Sequence, residues 1–266
     1  RELYIRIAEI EARHLGNVPQ AVEALEAILA VDPTDLGALQ ALDQTYRVAG
    51  RWNDALATQR RQLEIISDPD QYDRVLVEIA TLQDERLNSP DAAIATYREM
   101  LDRDPANQTA LEALDRMFVR LERWNDVAEN LKVRLSLTDD PAEQTALQLR
   151  LAGVYDERLG DRAAAIDIHR QILEREPTNE DAVAALERRI EEPGLTAEIV
   201  AIVEPVYRQR GAYDRLVHAY EAQARNTADP VQKVDLLHHS AEIQEAALDD
   251  ARGALDTLAR ALAEDP

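Results

Sequence analysis

The apolar residues of this chain recur with the period of a helix. Leu111, Leu114, Phe118 and Leu121 stand at i, i+3, i+7 and i+10, one stripe on a helical surface. Ala93, Tyr97 and Met100 make a second stripe on the segment before it. No stretch alternates apolar and polar residues for long enough to argue a strand. The stripes are interrupted by an acid followed by proline: Asp32-Pro33, Asp68-Pro69, Asp104-Pro105, Asp140-Pro141, Glu176-Pro177 and Asp229-Pro230. The residue before a proline is disfavoured in the α region, so a helix is expected to stop at each. The pattern predicts an all-α chain.

The interruptions are themselves periodic. The tetrapeptide Arg-Trp-Asn-Asp occurs at 51–54 and again at 123–126, and it holds both tryptophans, Trp52 and Trp124, 72 residues apart (124 − 52). Pro33, Pro105 and Pro177 keep the same step, as do Pro69 and Pro141. Pro230 then comes 89 later (230 − 141), and Tyr213 follows Trp124 by the same 89, so 17 extra residues (89 − 72) lie between Pro177 and Tyr213. The first core-facing residue of each second helix, Ala21, Ala55, Ala93, Val127, Ala165, Leu216 and Ala254, steps by 34, 38, 34, 38, 51 and 38. This predicts seven helix pairs. The insertion reads as one further amphipathic helix over 179–192, stopped at Pro193-Gly194, which makes about fifteen helices. Pro205 falls inside the helix expected over 196–210, where it should kink the helix or leave one carbonyl unbonded.

These pairs resemble tetratricopeptide (TPR) repeats, units of about 34 residues that stack one on the next. The resemblance rests on Leu39, Leu42, Tyr46, Trp52 and Ala55 in the second pair, on Leu111, Leu114, Phe118, Trp124 and Val127 in the fourth, and on Ala80, Ala93, Tyr97 and Pro105 in the third. It implies a right-handed α-solenoid of seven TPR-like pairs plus one inserted helix. Pairs one to five occupy 1–178, the inserted helix 179–194, and pairs six and seven 195–266, in one continuous solenoid. It also implies that each Trp plugs the turn of its pair, which would cost roughly 3–5 kcal/mol to remove if the ring were fully buried. Asn53 and Asn125 are placed to cap the helix that follows. Asp43, Asp115 and Glu204 depart from the family, which prefers a small residue there, and a neighbouring Arg is the expected partner. The style of repeat is similar to long TPR proteins of myxobacteria-like bacteria.

Composition narrows the chemistry. The hydrophobic fraction of 45% is ample for a folded chain, and aromatics at 4% leave Ala and Leu to dominate, which favours helix. The net charge of −22 argues against nucleic acid and against an anionic membrane surface, since both need clustered Lys and Arg. No apolar run reaches the roughly 18–20 residues of a membrane span. The absence of cysteine excludes disulfides and thiolate metal sites and leaves the redox compartment open, with the cytoplasm the nearer expectation and any targeting signal outside this segment. Among the histidines His14, His169, His218, His238 and His239, only the last two adjoin, and helical neighbours point about 100° apart. His169 occupies an aromatic slot of its repeat and is expected to be a packed core side chain. No phosphate loop, nucleophile elbow or zinc motif is present. No cofactor, metal or catalytic residue is therefore expected.

What remains is a surface. By the resemblance, the concave face of a TPR solenoid is lined by set positions of the first helices, here Arg47, Val77, Asp84, Glu85, Arg116, Arg120, Asp156, Glu157 and Arg208. Basic residues fall in pairs two, four and six and acidic ones in pairs three and five. That alternation suits either a ligand groove or ion pairs knitting neighbouring repeats. The leading expectation is a non-enzymatic scaffold for a protein or peptide carrying a basic or mixed-charge segment. The alternatives are a module that self-associates through its terminal repeats in a larger bacterial assembly, such as motility or envelope machinery, and the regulatory arm of an enzyme whose catalytic domain lies elsewhere.

Overall fold

A computed structural model describes residues 2–13 and 17–264; His14 lies outside the described residues. They form fifteen α-helices, with no strand among the described residues. The chain divides into two compact units, Arg1–Arg123 and Trp124–Pro266, and the boundary falls inside the second Arg-Trp-Asn-Asp. The first unit holds α1 (Glu2–Arg13), α2 (Val18–Val31), α3 (Leu36–Val48), α4 (Trp52–Leu63), α5 (Pro69–Glu85), α6 (Pro90–Arg103) and α7 (Gln108–Arg120). The second holds α8 (Trp124–Leu137), α9 (Pro141–Val154), α10 (Arg162–Arg175), α11 (Glu180–Glu187), α12 (Thr196–Arg210), α13 (Tyr213–Asn226), α14 (Pro230–Ala246) and α15 (Ala251–Glu264). One π-helical turn, Tyr155–Leu159, extends α9. The fold is the all-α array of TPR-like helix pairs plus one inserted helix that the spacing predicts.

The acid–proline pairs play two parts. Asp32, Asp104 and Glu176 close α2, α6 and α10. Asp68, Asp140 and Asp229 instead open α5, α9 and α14: each carboxylate accepts a backbone N–H of the first turn, and the proline takes the first helical position, where its missing donor is harmless. The apolar stripes then bury Leu39, Leu42, Leu76, Ile79 and Leu111 in the first unit and Leu131, Ile172, Leu186 and Tyr207 in the second.

The turn inside each helix pair carries the repeat in its backbone. Gly50, Asn88, Glu122, Gly160, Gly211 and Asp249 all have positive φ, between 49° and 71°. Their positions step by 38, 34, 38, 51 and 38, the intervals between Ala55 and Ala254 in the sequence. Each pair therefore reverses through one left-handed residue.

Four local expectations change. The inserted helix is shorter than 179–192: α11 ends at Glu187, and residues 188–195 are turns. Pro205 sits exposed within a continuous α12, which leaves the Ala201 carbonyl without its helical donor. Asn53 and Asn125 do not cap. The helices begin one residue earlier, at Trp52 and Trp124, so both asparagines lie exposed inside the first turn. Asp54 instead accepts from Arg51 Nε at 2.7 Å. Trp52 and Trp124 are only half-buried, and an arginine covers each ring: Arg86 lies 5.2 Å from the centre of Trp52 and Arg158 4.6 Å from Trp124. Both arginines come 34 residues after their tryptophan (86 − 52, 158 − 124), so each Trp joins its own turn to the next first helix. The expected arginine partners are found for Asp43, bonded to Arg47 at 2.8 Å, and for Glu204, bonded to Arg208 at 2.9 Å.

Two stability measurements follow. Trp52→Ala should cost about 2–3 kcal/mol, below the range for a fully enclosed ring, because part of the indole already faces solvent and an arginine. Gly160→Ala should cost about 1–2 kcal/mol through backbone strain alone, since an added Cβ there meets nothing within 4 Å. Glu122→Gly should stabilise by up to about 1 kcal/mol for the same reason reversed. Urea unfolding reads all three.

Candidate functional site

Where first helices of successive pairs lie side by side, a groove opens between them, and the intervening second helix supplies its floor. Three such grooves are present. The first, about 340 Å³, runs between α3 and α5 with Gln62 beneath and Asp43, Gln71, Arg74 and Glu78 at its sides. The second, about 300 Å³, runs between α5 and α7 over Tyr97 and is rimmed by Asp84, Glu85, Arg116 and Arg120. The third, about 680 Å³, runs between α9 and α11 over His169, with Asp156 and Glu157 on one side and Asp181, Glu187 and Arg188 on the other.

The structure thus brings Asp84, Glu85, Arg116 and Arg120 together, and separately Asp156 and Glu157. Several of their charges are already engaged across repeats. Arg47 reaches from α3 to Glu78 of α5 at 3.3 Å while holding Asp43. Arg120 of α7 donates to both oxygens of Asp84 of α5, at 2.6 and 2.8 Å. Arg189, just beyond α11, donates to Asp156 at 3.0 Å. The alternating charge of pairs two to five therefore does knit first helices together, and Arg189 of the insertion stands where the next first helix would supply its arginine. Arg208 stays within its own pair, bonded to Glu204 and to the Tyr220 hydroxyl at 2.9 Å. Val77 is half-buried and lines none of the three grooves. Glu85, Arg116 and Glu157 are the candidates left projecting: Arg116 has only a loose contact to Glu112 at 3.8 Å and is 70% exposed.

Sequence reasoning missed Glu78, Arg189 and the groove floors. Glu78 also accepts from the buried Gln59 at 3.0 Å. Burial pushes the Asp43 carboxyl up from its ordinary value in spite of Arg47, and the nearby Glu78 adds to the shift. Burial likewise raises the Tyr97 phenol. His169 is packed as expected, only 7% exposed, and its Nδ1 is buried without a hydrogen-bond partner. Burial pulls its pKa below the ordinary value, with Asp156 opposing the shift and Arg188 reinforcing it. Among the described residues no cluster of three or more acids and histidines is positioned for a metal ion.

No protein-family model matches the chain, and no curated protein matches it. Solved structures similar to it include TPR proteins. One from Parabacteroides merdae is 16% identical, with 100% of this chain and 93% of that one covered and a TM-score of 0.39. The C-terminal part of a TPR repeat-containing protein from Cytophaga hutchinsonii is 15% identical, covering 96% and 99%, with a TM-score of 0.39. YrrB, a TPR protein with an unusual peptide-binding site, is 13% identical, covering 68% and 89%, with a TM-score of 0.36. The repeat assignment stands on the helices and spacings of this chain.

His169 gives the stability a pH dependence of defined sign. Its folded pKa lies below the unfolded value of about 6.5, so in that window the unfolded chain binds the extra proton. Stability is fully present above about pH 6.5 and is lost as pH falls through the window. His169→Phe, which keeps a ring in the slot, should flatten the fall in unfolding free energy between pH 7 and about pH 5 relative to wild type. Chemical denaturation at both pH values checks it; parallel curves for the two proteins would be the contrary result.

Proposed function

We propose that this chain is a non-enzymatic scaffold that binds a segment of another protein along the grooves between its first helices. The observation that carries the reading is the row of grooves itself. Each has a polar or aromatic floor on a second helix and a mixed-charge rim, and Glu85, Arg116 and Glu157 project from those rims without a strong partner. A groove that was only a by-product of stacking would have its rim charges satisfied by the stack. The net charge of −22 favours segments that are basic or of mixed charge.

Arg116 and Arg120 separate binding from architecture, because they stand one turn apart on α7 and differ in what they touch. Peptides selected by display against the wild-type chain are the probes. Arg116→Glu should weaken those that occupy the second groove by about tenfold and leave the melting temperature unchanged. Arg120→Glu should lower the melting temperature as well, because it sets two carboxylates together where Asp84 is now paired. If Arg116→Glu left every selected peptide unaffected, the second groove would not be part of a binding face.

A second reading, self-association, is favoured by one observation. α15 exposes Leu255, Leu258 and Leu262 on one stripe, with Leu255 and Leu262 more than 60% exposed, and α1 exposes Leu3, Tyr4, Ile7 and Ile10. Sedimentation at rising concentration reads it directly, and Leu255→Lys with Leu262→Lys should abolish any association that passes through α15.

A further inference from the structure

The insertion builds a groove that the regular repeat lacks. Without α11 there would be no helix beside α9 to face it. The groove between them measures about 680 Å³, twice the 340 and 300 Å³ of its counterparts and within the range of about 300–1,000 Å³ typical of ligand sites. Its walls are made of small residues, Ala152 and Gly153 on α9 and Ala184 and Ala185 on α11. Its rim carries four acids, Asp156, Glu157, Asp181 and Glu187, against Arg188. Asp156 is held by Arg189, and Glu187 accepts the Tyr207 hydroxyl at 2.6 Å. Glu157 and Asp181 are exposed and engage no partner among the described residues.

An acidic rim alone would be a solvated surface. The floor supplies an independent observation. His169 is more than nine-tenths buried, lines the groove and leaves Nδ1 without a hydrogen bond. A buried polar atom in that condition is destabilising until something bonds it. The site therefore combines an unmet hydrogen-bonding group at the bottom, apolar walls of small side chains, and unspent negative charge at the top.

We propose that this groove takes the lysine side chain of an extended segment of a partner protein. The aliphatic stem would lie along Ala152, Gly153 and Ala184, the ammonium would be held by Glu157 and Asp181, and a polar atom of the segment would satisfy His169. Lysine fits better than arginine: a stem of methylenes suits small apolar walls, whereas a guanidinium gains most from an aromatic face or a bidentate carboxylate, and the groove offers no aromatic residue besides His169. An acidic segment would meet four carboxylates and one arginine. This proposal rests on the reading of the first-helix face as a peptide-binding surface and names the partner chemistry of its widest groove.

The test uses the whole chain and three short fluorescein-labelled Gly-Ser peptides that differ only in carrying lysines, glutamines or glutamates, read by fluorescence anisotropy at about 0.15 M salt to suppress long-range charge effects. Gly153→Leu fills the groove without changing charge, and an added Cβ at Gly153 meets nothing within 4 Å, so the fold should tolerate it. Glu157→Lys with Asp181→Lys reverses the rim. Glu64→Lys with Asp102→Lys makes the same change of net charge at exposed acids on α4 and α6. The lysine peptide should bind the wild-type chain, lose about tenfold with Gly153→Leu and with the rim reversal, and change by less than about twofold with the control pair. Equal losses in rim and control variants would mean that only the overall charge attracts the peptide, and the proposal falls. It falls also if the glutamate peptide binds better than the lysine peptide, or if the lysine peptide does not bind. If display-selected peptides still depend on Arg116 in any of these cases, the binding face stands and only the lysine pocket is lost.

Discussion

A single pair of short helices cannot bury its own apolar stripe, and every other feature of this chain follows from that limit. Leu39, Leu76 and Leu111 reach full burial only because successive pairs stack. Stacking by small and aliphatic side chains does not by itself fix how one pair sits on the next. The polar contacts supply that register. Thr96 of α6 donates to Gln83 of α5, Arg60 of α4 reaches Glu99 and Thr96 of α6, and Gln59 reaches Glu78 of α5. Several of these groups are buried, so a slipped stack would strand them at a cost far above what each bond contributes in place. The same logic explains the acids at the close-approach position of the even pairs. Asp43 and Glu204 each hold an arginine one turn away, and Asp43 turns that arginine toward the next first helix.

The helix count, the pair boundaries and the place of the insertion were legible in the sequence because each depends on covalent or steric rules that act locally. Proline after an acid stops or starts a helix whatever surrounds it. The residues that turn each pair, from Gly50 to Asp249, repeat in step with the core residues because a helix pair of given length has one place to reverse. What was not legible depends on neighbours far along the chain. The tryptophans were expected to be enclosed, yet each leaves part of its ring to an arginine supplied 34 residues later. The asparagines after them were expected to cap, but the tryptophan itself takes the first helical position. The end of α11 at Glu187, five residues before the expected stop at 192, has no local signal: residues 188–192 are helix formers, and Arg189 is drawn instead into bonds with Asp156 and Glu192.

Charge placement shows the limit most clearly. An arginine in one pair and an acid in the next are what a ligand groove would present and also what a stitched stack would present, and the sequence pattern is the same for both. Distance separates them. Arg120 lies within 2.8 Å of both Asp84 oxygens and is committed to the stack, whereas Arg116, one turn earlier on the same helix, extends into solvent over the same groove. The candidate face is thus a mixture at single-residue resolution, with part of its charge holding the repeats in register and part free to meet something else.

The insertion resolves into the same division of labour. A solenoid that gains a first helix must satisfy its neighbours on both sides, and α11 does so on each. Toward α9 it offers Arg189 to Asp156, repeating the stitch seen between Asp84 and Arg120. Toward α12 it offers Glu187 to the Tyr207 hydroxyl, and burial beside that carboxylate drives the phenol well above its ordinary pKa, so the bond persists as a neutral donor to a charged acceptor. With both flanks fixed, α11 is held away from α9 by short side chains on each helix. Filling that space would have required only larger residues at Gly153 or Ala184, and a well-packed core loses stability by leaving such gaps. A wide gap over a buried imidazole with an unbonded nitrogen is therefore a cost that the architecture of the insertion does not require, and it is better explained by an occupant than by packing.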